Sequence, residues 1–193
     1  LLYGVTHGGV FEDLRKRSAK FVDKHFEGIA LGGAHKDKKT LYQVVEWTLA
    51  NVSEEKPRHL LGIGEVEDLF ECMERGVDLF DCATPTRRAR HGSLYTSNTL
   101  VYHSEGRSNF TINIKHQKFA KDKRPIDQNC NCYTCQNFSR AYLRHLYVSG
   151  ELLYYQLSTY HNLYLITDLI GKIREAISNR QFRKLKKKWL SKS

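Results

Sequence analysis

Three cysteines lie within six residues of one another: Cys130, Cys132 and Cys135. This spacing lets a single turn of backbone wrap a tetrahedral ion, and thiolate-rich sites favour zinc among the metals. A fourth ligand is needed, and the candidates are His116, His145 and His161. A disulfide is the competing fate of the thiols, and it is disfavoured in a chain that shows no secretory signal. The cluster predicts one structural Zn²⁺ per chain, because four protein ligands leave no open position.

Four short apolar runs end in glycine or in an acidic residue. The endings are His7-Gly8-Gly9, Gly32-Gly33, Gly62-Ile63-Gly64 and Asp81-Cys82. Glycine lets a backbone approach a ligand closely, and parallel α/β folds place their chemistry at the carboxyl ends of strands. Ordinary tight turns are the simpler interpretation of any one ending, and Glu67 stands where a dinucleotide motif would have its third glycine. Asp81 alone could be a catalytic carboxylate or a buried or capping aspartate.

The first half of the sequence alternates two hydrophobic periods. Apolar runs at residues 1–6, 28–31, 59–63 and 77–82 are typical of buried strands. Between them, residues recur at helical spacing: Phe11, Leu14, Ser18, Phe21 and Val22; Leu41, Val44, Val45, Thr48 and Leu49; and Val66, Leu69, Phe70 and Met73. This alternation of strands and helices predicts an α/β fold with a parallel sheet.

After Arg90 the pattern changes. Residues 93–102 and 110–115 have the character of two β-hairpin strands that lead into the cysteine cluster. The last third is helical, with an apolar stripe formed by Ile166, Leu169, Ile170, Ile173 and Ile177. A basic tail follows at residues 180–193.

The composition is that of a globular protein, with 193 residues of which 40% are hydrophobic and 27% are charged. The net charge of +10 suits a polyanionic partner, and RNA, DNA and an anionic membrane surface all remain open on charge alone. No apolar run approaches the roughly 20 residues of a membrane helix, so a cytoplasmic protein is expected. Because the sequence opens within a strand and its one methionine is Met73, we expect a fragment of a longer protein.

Several segments together resemble the tRNA-guanine transglycosylases of bacterial or eukaryotic type. They are the run at residues 76–92, which contains Asp81, the cysteine cluster, and His161 within residues 160–164. The similarity runs nearly end to end. It implies the C-terminal part of a TIM (β/α)8 barrel with an inserted zinc-binding subdomain. The expected domains are the later βα units of the barrel with a hairpin extension at 1–109, the zinc insert at 110–161, and a closing helix with a basic tail at 162–193.

The resemblance also implies roles for individual residues. Asp81 is similar to the nucleophile that attacks the ribose C1′ at the wobble position and displaces guanine, for which a 7-deazaguanine base is exchanged. The implied zinc ligands are Cys130, Cys132, Cys135 and His161. The implied base pocket consists of His7, Gly32, Gly33, Ala34, Leu61 and Gly62. The implied RNA contacts are Gly62, Ile63, Gly64, Glu65, Val66, Glu67, Asp68, Thr86, Arg87, Arg88, Ala89 and Arg90.

Two segments depart from the family's pattern, and both touch the base pocket. His7 stands where the family usually has a glutamine that contacts the base. Residues 35–39 replace the usual continuation after Gly33, including a glycine-glutamate pair expected near Asp37 and Lys38. The choice between 7-aminomethyl-7-deazaguanine (preQ1) and queuine is therefore open. The resemblance further implies that a missing first half supplies the aspartates that recognise the base, so that this chain alone should be inactive.

The resemblance thus implies a pentosyltransferase of queuosine biosynthesis that acts on tRNA with a guanine wobble base and works as a dimer. A non-catalytic, zinc-containing partner subunit that binds tRNA is the second hypothesis. The unusual base pocket favours it, whereas the retention of Asp81 argues against it. A zinc-stabilised nucleic-acid-binding module without chemistry is the third, and it predicts steep salt dependence of binding.

Overall fold

The computed structural model describes residues 1–33, 37–97 and 110–190, and the chain divides into two units after Ala83. Strands and helices alternate throughout the first unit: β1 (Tyr3–Thr6), α1 (Glu12–His25), β2 (Gly28–Leu31), α2 (Lys38–Leu49), β3 (Arg58–Leu60), α3 (Val66–Glu74) and β4 (Leu79–Phe80). The four strands form one sheet in the order β1-β2-β3-β4, and every neighbouring pair is parallel. The predicted α/β alternation with a parallel sheet is confirmed.

Helices cover one face of this sheet. The core on that face consists of Val22, Ile29, Leu31, Leu41, Val45, Leu49, Leu60, Cys72 and Val77. Successive side chains of a strand point to opposite faces of the sheet. The residues paired at the adjacent position of each strand therefore form a row on the other face. That row is Val5, Ala30, His59 and Leu79. Val5 and Leu79 are exposed, so this second face is open to solvent.

The predicted helical face of α2 is confirmed, since all five of its residues are buried. In α1 the helix is confirmed, but of the predicted face only Val22 is buried. Phe11, Leu14 and Phe21 are 62%, 44% and 60% exposed.

The buried row of α1 is instead Arg15, Ala19 and Val22. A small residue at the centre of this row lets the helix lie close to the sheet, and Arg15 reaches carbonyl oxygens there. The spacing of apolar residues favours the face that carries Phe11, Leu14 and Phe21, because these side chains are larger. Spacing alone does not show the hydrogen-bond acceptors that allow Arg15 to be buried.

The second unit, Thr84–Ser193, begins with a short helix and a hairpin. Its elements are α4 (Thr84–Arg90), β5 (Ser93–Tyr95), β6 (Thr111–Asn113), a 3₁₀ turn (Gln117–Phe119), α5 (Tyr133–Asn137), α6 (Arg140–Val148), α7 (Leu152–Ser178) and α8 (Phe182–Leu190). Strands β5 and β6 pair antiparallel, with Leu94 opposite Ile112, which confirms the predicted hairpin. Residues 98–102 of the predicted first hairpin strand lie outside the described residues.

One core joins the hairpin, the cysteine segment and the helices of this unit. Its buried residues are Leu94, Ile112, Ile114, Phe119, Ile126, Cys130, Cys132, Cys135, Leu143, Leu146, Tyr154 and Leu157. The side chain of Asn162 on α7 accepts a hydrogen bond from the N–H of Tyr95 and donates to the carbonyl oxygens of Pro85 and Ser93. Helix α7 therefore fixes both α4 and β5 within this unit.

Helix α7 buries only part of the apolar stripe that the sequence predicts. In α7, Leu169 and Ile173 are buried, whereas Ile177 is 51% exposed. Trp189 of α8 packs against Phe110, with ring centroids 5.8 Å apart. Among the described residues, no helix has both the length and the apolar character needed to cross a bilayer.

Candidate active site and metal centre

Asp81 lies just beyond β4, at the carboxyl end of the parallel sheet. One side-chain oxygen, Oδ1, is 3.0 Å from Nε2 of His59 on β3. The same oxygen accepts a hydrogen bond of 3.3 Å from the backbone N–H of Gly62. The side chain of Asp81 is nevertheless 59% exposed. Among the described residues, both of these contacts fall on Oδ1.

Gly62 has a conformation that suits its contact with Asp81. Its φ angle of +74° lies in the left-handed region, where L side chains are strained and glycine is not. A Cβ added there would meet no atom within 4 Å, so the constraint is on backbone conformation rather than on space. The carboxyl end of β3 thus turns sharply, which aims an N–H at Asp81.

His7 and Gly32 fit together at the carboxyl ends of β1 and β2. A Cβ on Gly32 would lie 2.9 Å from Cε1 of His7 and 2.8 Å from Cγ1 of Val5, so only glycine leaves room for these side chains. The N–H of His7 donates to Oγ of Ser18, which holds the turn after β1. His7 and Gly32 continue the strand alternation from Val5 and Ala30 and therefore belong to the open face of the sheet.

The remaining expected base-pocket residues follow the same strand ends. Leu61 is two residues beyond His59 and is 37% exposed, and Gly33 has a positive φ of +105°. Ala34 and His35 lie outside the described residues. The structure thus places His7, Gly32, Leu61 and Asp81 at neighbouring strand ends of one sheet edge.

Arg15 links the carboxyl ends of β1 and β2 from the interior of the first unit. Its side chain is buried, with Nε donating to the carbonyl oxygen of Gly9 and one terminal nitrogen donating to those of Gly32 and Thr6, at 2.9, 2.8 and 3.3 Å. Burial lowers the pKa of the guanidinium. The ends of β1 and β2 are therefore joined through one cationic side chain, which makes three charge-assisted hydrogen bonds.

Replacing Arg15 with Met is expected to destabilise the protein by about 2–4 kcal/mol, because it removes three charge-assisted hydrogen bonds, one of them to the carbonyl oxygen of the buried residue Gly32. Urea unfolding of the full-length protein measures this change. The matched control is Arg17→Met, an exposed position on the same helix, which should change stability by less than about 0.5 kcal/mol. Equal unfolding midpoints for the two variants would contradict the anchoring role of Arg15.

The segment from Gly62 to Asp68 forms the turn after β3 and the first residues of α3. Asp68 is buried and accepts a hydrogen bond of 2.7 Å from the hydroxyl of Tyr42, whose pKa is raised by burial and by this contact. Lys38 forms ion pairs with both Glu67 and Asp68. Gly64 is also buried, and a Cβ there would collide with Cys82. Val66 and Asp68 point into the unit, so any RNA contact here would fall to the exposed turn.

Helix α4 presents the arginines that follow Asp81 in sequence. Arg87 and Arg90 are exposed, whereas Ala89 is buried and its carbonyl oxygen accepts a hydrogen bond of 2.9 Å from the hydroxyl of Tyr154. The guanidinium of Arg88 lies 5.9 Å from the ring centroid of Tyr95, a cation–π arrangement. The buried side of α4 is thus fixed by the hydrogen bond from Tyr154, and its exposed side carries the positive charges of Arg87 and Arg90.

The predicted metal ligands Cys130, Cys132, Cys135 and His161 converge in the core of the second unit. All four are buried, and their ligand atoms lie within 4.8 Å of one another. Nδ1 of His161 is 3.8, 3.4 and 3.4 Å from the three sulfur atoms. Zn–S and Zn–N bonds of about 2.3 and 2.05 Å at tetrahedral angles place sulfur and nitrogen about 3.6 Å apart. The donors therefore fit a tetrahedral ion.

Contacts outside the ligand set orient these donors. Nε2 of His161 is 2.8 Å from the carbonyl oxygen of Tyr95 and must donate to it, which leaves the Nδ1 lone pair for a metal. Cys132 caps α5, and its sulfur accepts the N–H of Cys135. The neighbouring Cys130 and Cys135 lower the pKa of the Cys132 thiol and favour the thiolate that binds metals. No cysteine of the chain forms a disulfide.

The other two histidine candidates, His116 and His145, are exposed and take no part in the described cluster. Sequence reasoning missed His59 and Arg15. Each had a faint signal, because His59 interrupts an apolar strand two residues before Leu61, and Arg15 shares a helical row with Ala19 and Val22. Neither signal identifies a contact partner without the register of the strands.

A parallel sheet with an acidic residue at its carboxyl edge, together with a buried Cys₃His cluster that could hold a metal ion, defines an α/β protein with a candidate metal centre. The chain belongs to the queuine tRNA-ribosyltransferase family, which matches residues 1–193.

Named relatives agree with this assignment. The chain is 43% identical to the queuine tRNA-ribosyltransferase of Thermodesulfovibrio yellowstonii, over 98% of this chain and 47% of the relative. It is 41% identical to that of Aquifex aeolicus, over 98% and 49%. It is 48% identical to a protein of Archaeoglobus fulgidus that carries the same name provisionally, over 98% and 47%. The chain thus spans about half the length of the curated relatives it matches.

Proposed function

We propose that the protein at its natural length is a tRNA-guanine transglycosylase, which exchanges the wobble guanine of tRNA for a 7-deazaguanine base in queuosine biosynthesis. The observation that carries this proposal is the carboxylate of Asp81. It lies at the carboxyl edge of a parallel sheet with one oxygen held by His59 and Gly62 and with its side chain 59% exposed. The names of the relatives support the reaction class and tRNA as the substrate.

Asp81 supplies the nucleophile in this reaction. Its free oxygen bonds to C1′ of the wobble nucleotide while the bond from C1′ to N9 of guanine breaks, and guanine leaves with that electron pair and takes up a proton. The ribose is then held as an ester of Asp81. In the second step N9 of the 7-deazaguanine base attacks the same carbon, loses its proton and releases the carboxylate. Two displacements at one carbon retain its configuration.

The base is proposed to lie over the open face of the sheet, against His7, Gly32, Gly33, Leu61 and Gly62. The shared sheet edge of these residues supports the proposal, and Ala34 belongs to the same pocket by the resemblance. The ring of His7 occupies the space above Gly32 that a side chain there would need. Its two nitrogen atoms supply a donor and an acceptor for a purine-like edge.

The resemblance supports two separate segments as tRNA contacts, residues 62–68 of the first unit and residues 86–90 of the second. Arg87 and Arg90 are exposed on a helix anchored through Ala89 and Pro85, which supports a fixed cationic surface. Arginine donates bidentate hydrogen bonds to phosphate and stacks on splayed bases. The net charge of +10 adds a favourable, salt-dependent contribution to RNA binding.

The metal is proposed to be zinc, one ion per chain, with a structural role. Four inward-facing protein donors leave no position for substrate or water, so the ion supplies cross-linking and no reaction step. It would join the loop at Cys130, the start of α5 and the middle of α7 within one core.

The resemblance to the tRNA-guanine transglycosylases supports a (β/α)8 barrel to which β1–β4 contribute. It also supports a dimer as the active form.

A non-catalytic, tRNA-binding partner subunit is the alternative function, and the unusual residues His7 and 35–39 favour it. Incorporation of labelled guanine into unmodified tRNA by the full-length protein alone separates the two. The enzyme is expected to incorporate label without any second protein and to lose it when preQ1 or queuine is added. Incorporation that appears only with a second, related subunit carrying its own aspartate would establish the alternative.

A further inference from the structure

The imidazole of His59 lies against the carboxylate of Asp81. His59 lies on β3, between β2 and β4, with Ala30 and Leu79 as its neighbours in the register. Its ring is edge-on to that of Tyr3, with centroids 6.2 Å apart and an interplanar angle of 83°. The charged partner of the imidazole among the described ion pairs is Asp81.

The contact between the two side chains has a defined direction. Nε2 of His59 is 3.0 Å from Oδ1 of Asp81, and because a carboxylate oxygen can only accept, the contact is favourable when Nε2 carries a proton. This holds for the neutral ring and for the imidazolium alike. The N–H of Gly62 donates to the same oxygen from the adjacent turn. Rotation of the carboxylate would break the hydrogen bond from Gly62 and separate Oδ1 from Nε2 of His59.

We propose that His59 is a positioning residue for Asp81, which holds Oδ1 so that Oδ2 is aimed at the ribose carbon. The inference rests on the proposed function of Asp81 as nucleophile. An exposed aspartate otherwise samples several rotamers, and only some of them place an oxygen in line with a reacting bond. The same donor stabilises the carboxylate that is released in the second displacement.

Position on the strand explains why His59 can do this and its neighbours cannot. Alternation along β3 directs Arg58 and Leu60 to the opposite side, where Leu60 joins the helix-covered core and Arg58 pairs with Asp78. Of the three residues of β3, only His59 faces the open side of the sheet. The ring also keeps its place by packing against Tyr3, so the donor is held without support from the substrate.

The test compares a variant that lacks the donor with one that restores it. In His59→Phe the ring shape remains and the donor is lost, whereas in His59→Gln the amide Nε2 donates from a similar place. The rate of covalent adduct formation between tRNA and the full-length protein is measured in a single turnover, together with tRNA affinity. We expect His59→Phe to slow adduct formation about 10- to 100-fold with unchanged affinity. We expect His59→Gln to remain within about threefold of the unaltered protein.

An adduct rate in His59→Phe equal to that of the unaltered protein would overturn the inference and leave the proposed function intact. An equal loss in both variants would also overturn it, because a restored donor would then have no effect. Should His59→Phe fail to fold, His59→Ala gives the same comparison. If the unaltered protein forms neither adduct nor exchanged tRNA, the proposed function fails first and this inference fails with it.

Discussion

Replacing Asp81 with Asn is expected to abolish guanine exchange, with a loss of about 10⁴-fold or more, as is usual when a nucleophile is removed. The amide has the shape of the carboxylate but cannot form a stable ester with C1′. The same substitution should eliminate the tRNA adduct that survives on denaturing gels. Both quantities are measured with the full-length protein and unmodified tRNA. Thermal unfolding should change little, because residue 81 is exposed and Asn still accepts the N–H of Gly62.

Asp13→Asn is the matched control, an acid-to-amide change at an exposed position in the first turn of α1. It should leave exchange and adduct formation at the level of the unaltered protein. An adduct that persists in Asp81→Asn would show that another group is the nucleophile. Loss of activity accompanied by loss of folding in Asp81→Asn would instead assign the residue a structural role.

Removal of the metal is the second change with a large expected effect. Replacing Cys132 with Ala is expected to release one zinc per chain and to unfold the second unit. Structural zinc contributes about 10–16 kcal/mol of apparent binding free energy in small domains, and a folded domain is stable by only about 5–15 kcal/mol. Zinc content by elemental analysis and hydrogen exchange of the segment from residue 110 to residue 165 measure the two consequences.

Cys82→Ala is the control, since Cys82 lies in the first unit and outside the described metal cluster. It should retain one zinc per chain and native protection of the second unit. Acidification should release the ion as well, because protons compete for the thiolates and for Nδ1 of His161. Stoichiometric zinc in Cys132→Ala, with unchanged protection around His161, would show that the four donors do not form the site.

The sequence predicts local structure well where one periodicity dominates. The five positions predicted for the inner face of α2 all proved buried, and the order of strands and helices correctly indicated a parallel sheet. Helix α1 shows the limit, because it carries two possible faces. Its large apolar side chains, such as Phe11 and Phe21, suggested the wrong one, and the buried row contains Arg15. Which face packs depends on acceptors in other strands, and these are known only from the fold.

The candidate site was predictable to different extents. The spacing of Cys130, Cys132 and Cys135 indicated a metal cluster without any structure, whereas the choice of His161 depended on the family resemblance. The pairing of His59 with Asp81 was not predictable from spacing, because 22 positions separate the two residues and their contact arises from the register of β3 and β4. Pairs brought together by adjacent parallel strands carry no periodic signal in the sequence.

The central claim is that Asp81 forms a bond to the ribose, and mapping of the adduct tests it most directly. After incubation with tRNA the full-length protein is denatured, treated with nuclease and digested with trypsin, and the peptide of residues 76–87 is sequenced by mass spectrometry. This peptide contains Asp78 as well as Asp81, so fragmentation distinguishes the two carboxylates. We expect the mass of a ribose phosphate that has lost its guanine on Asp81. A modification on Asp78, on another peptide, or on none while exchange proceeds would contradict it.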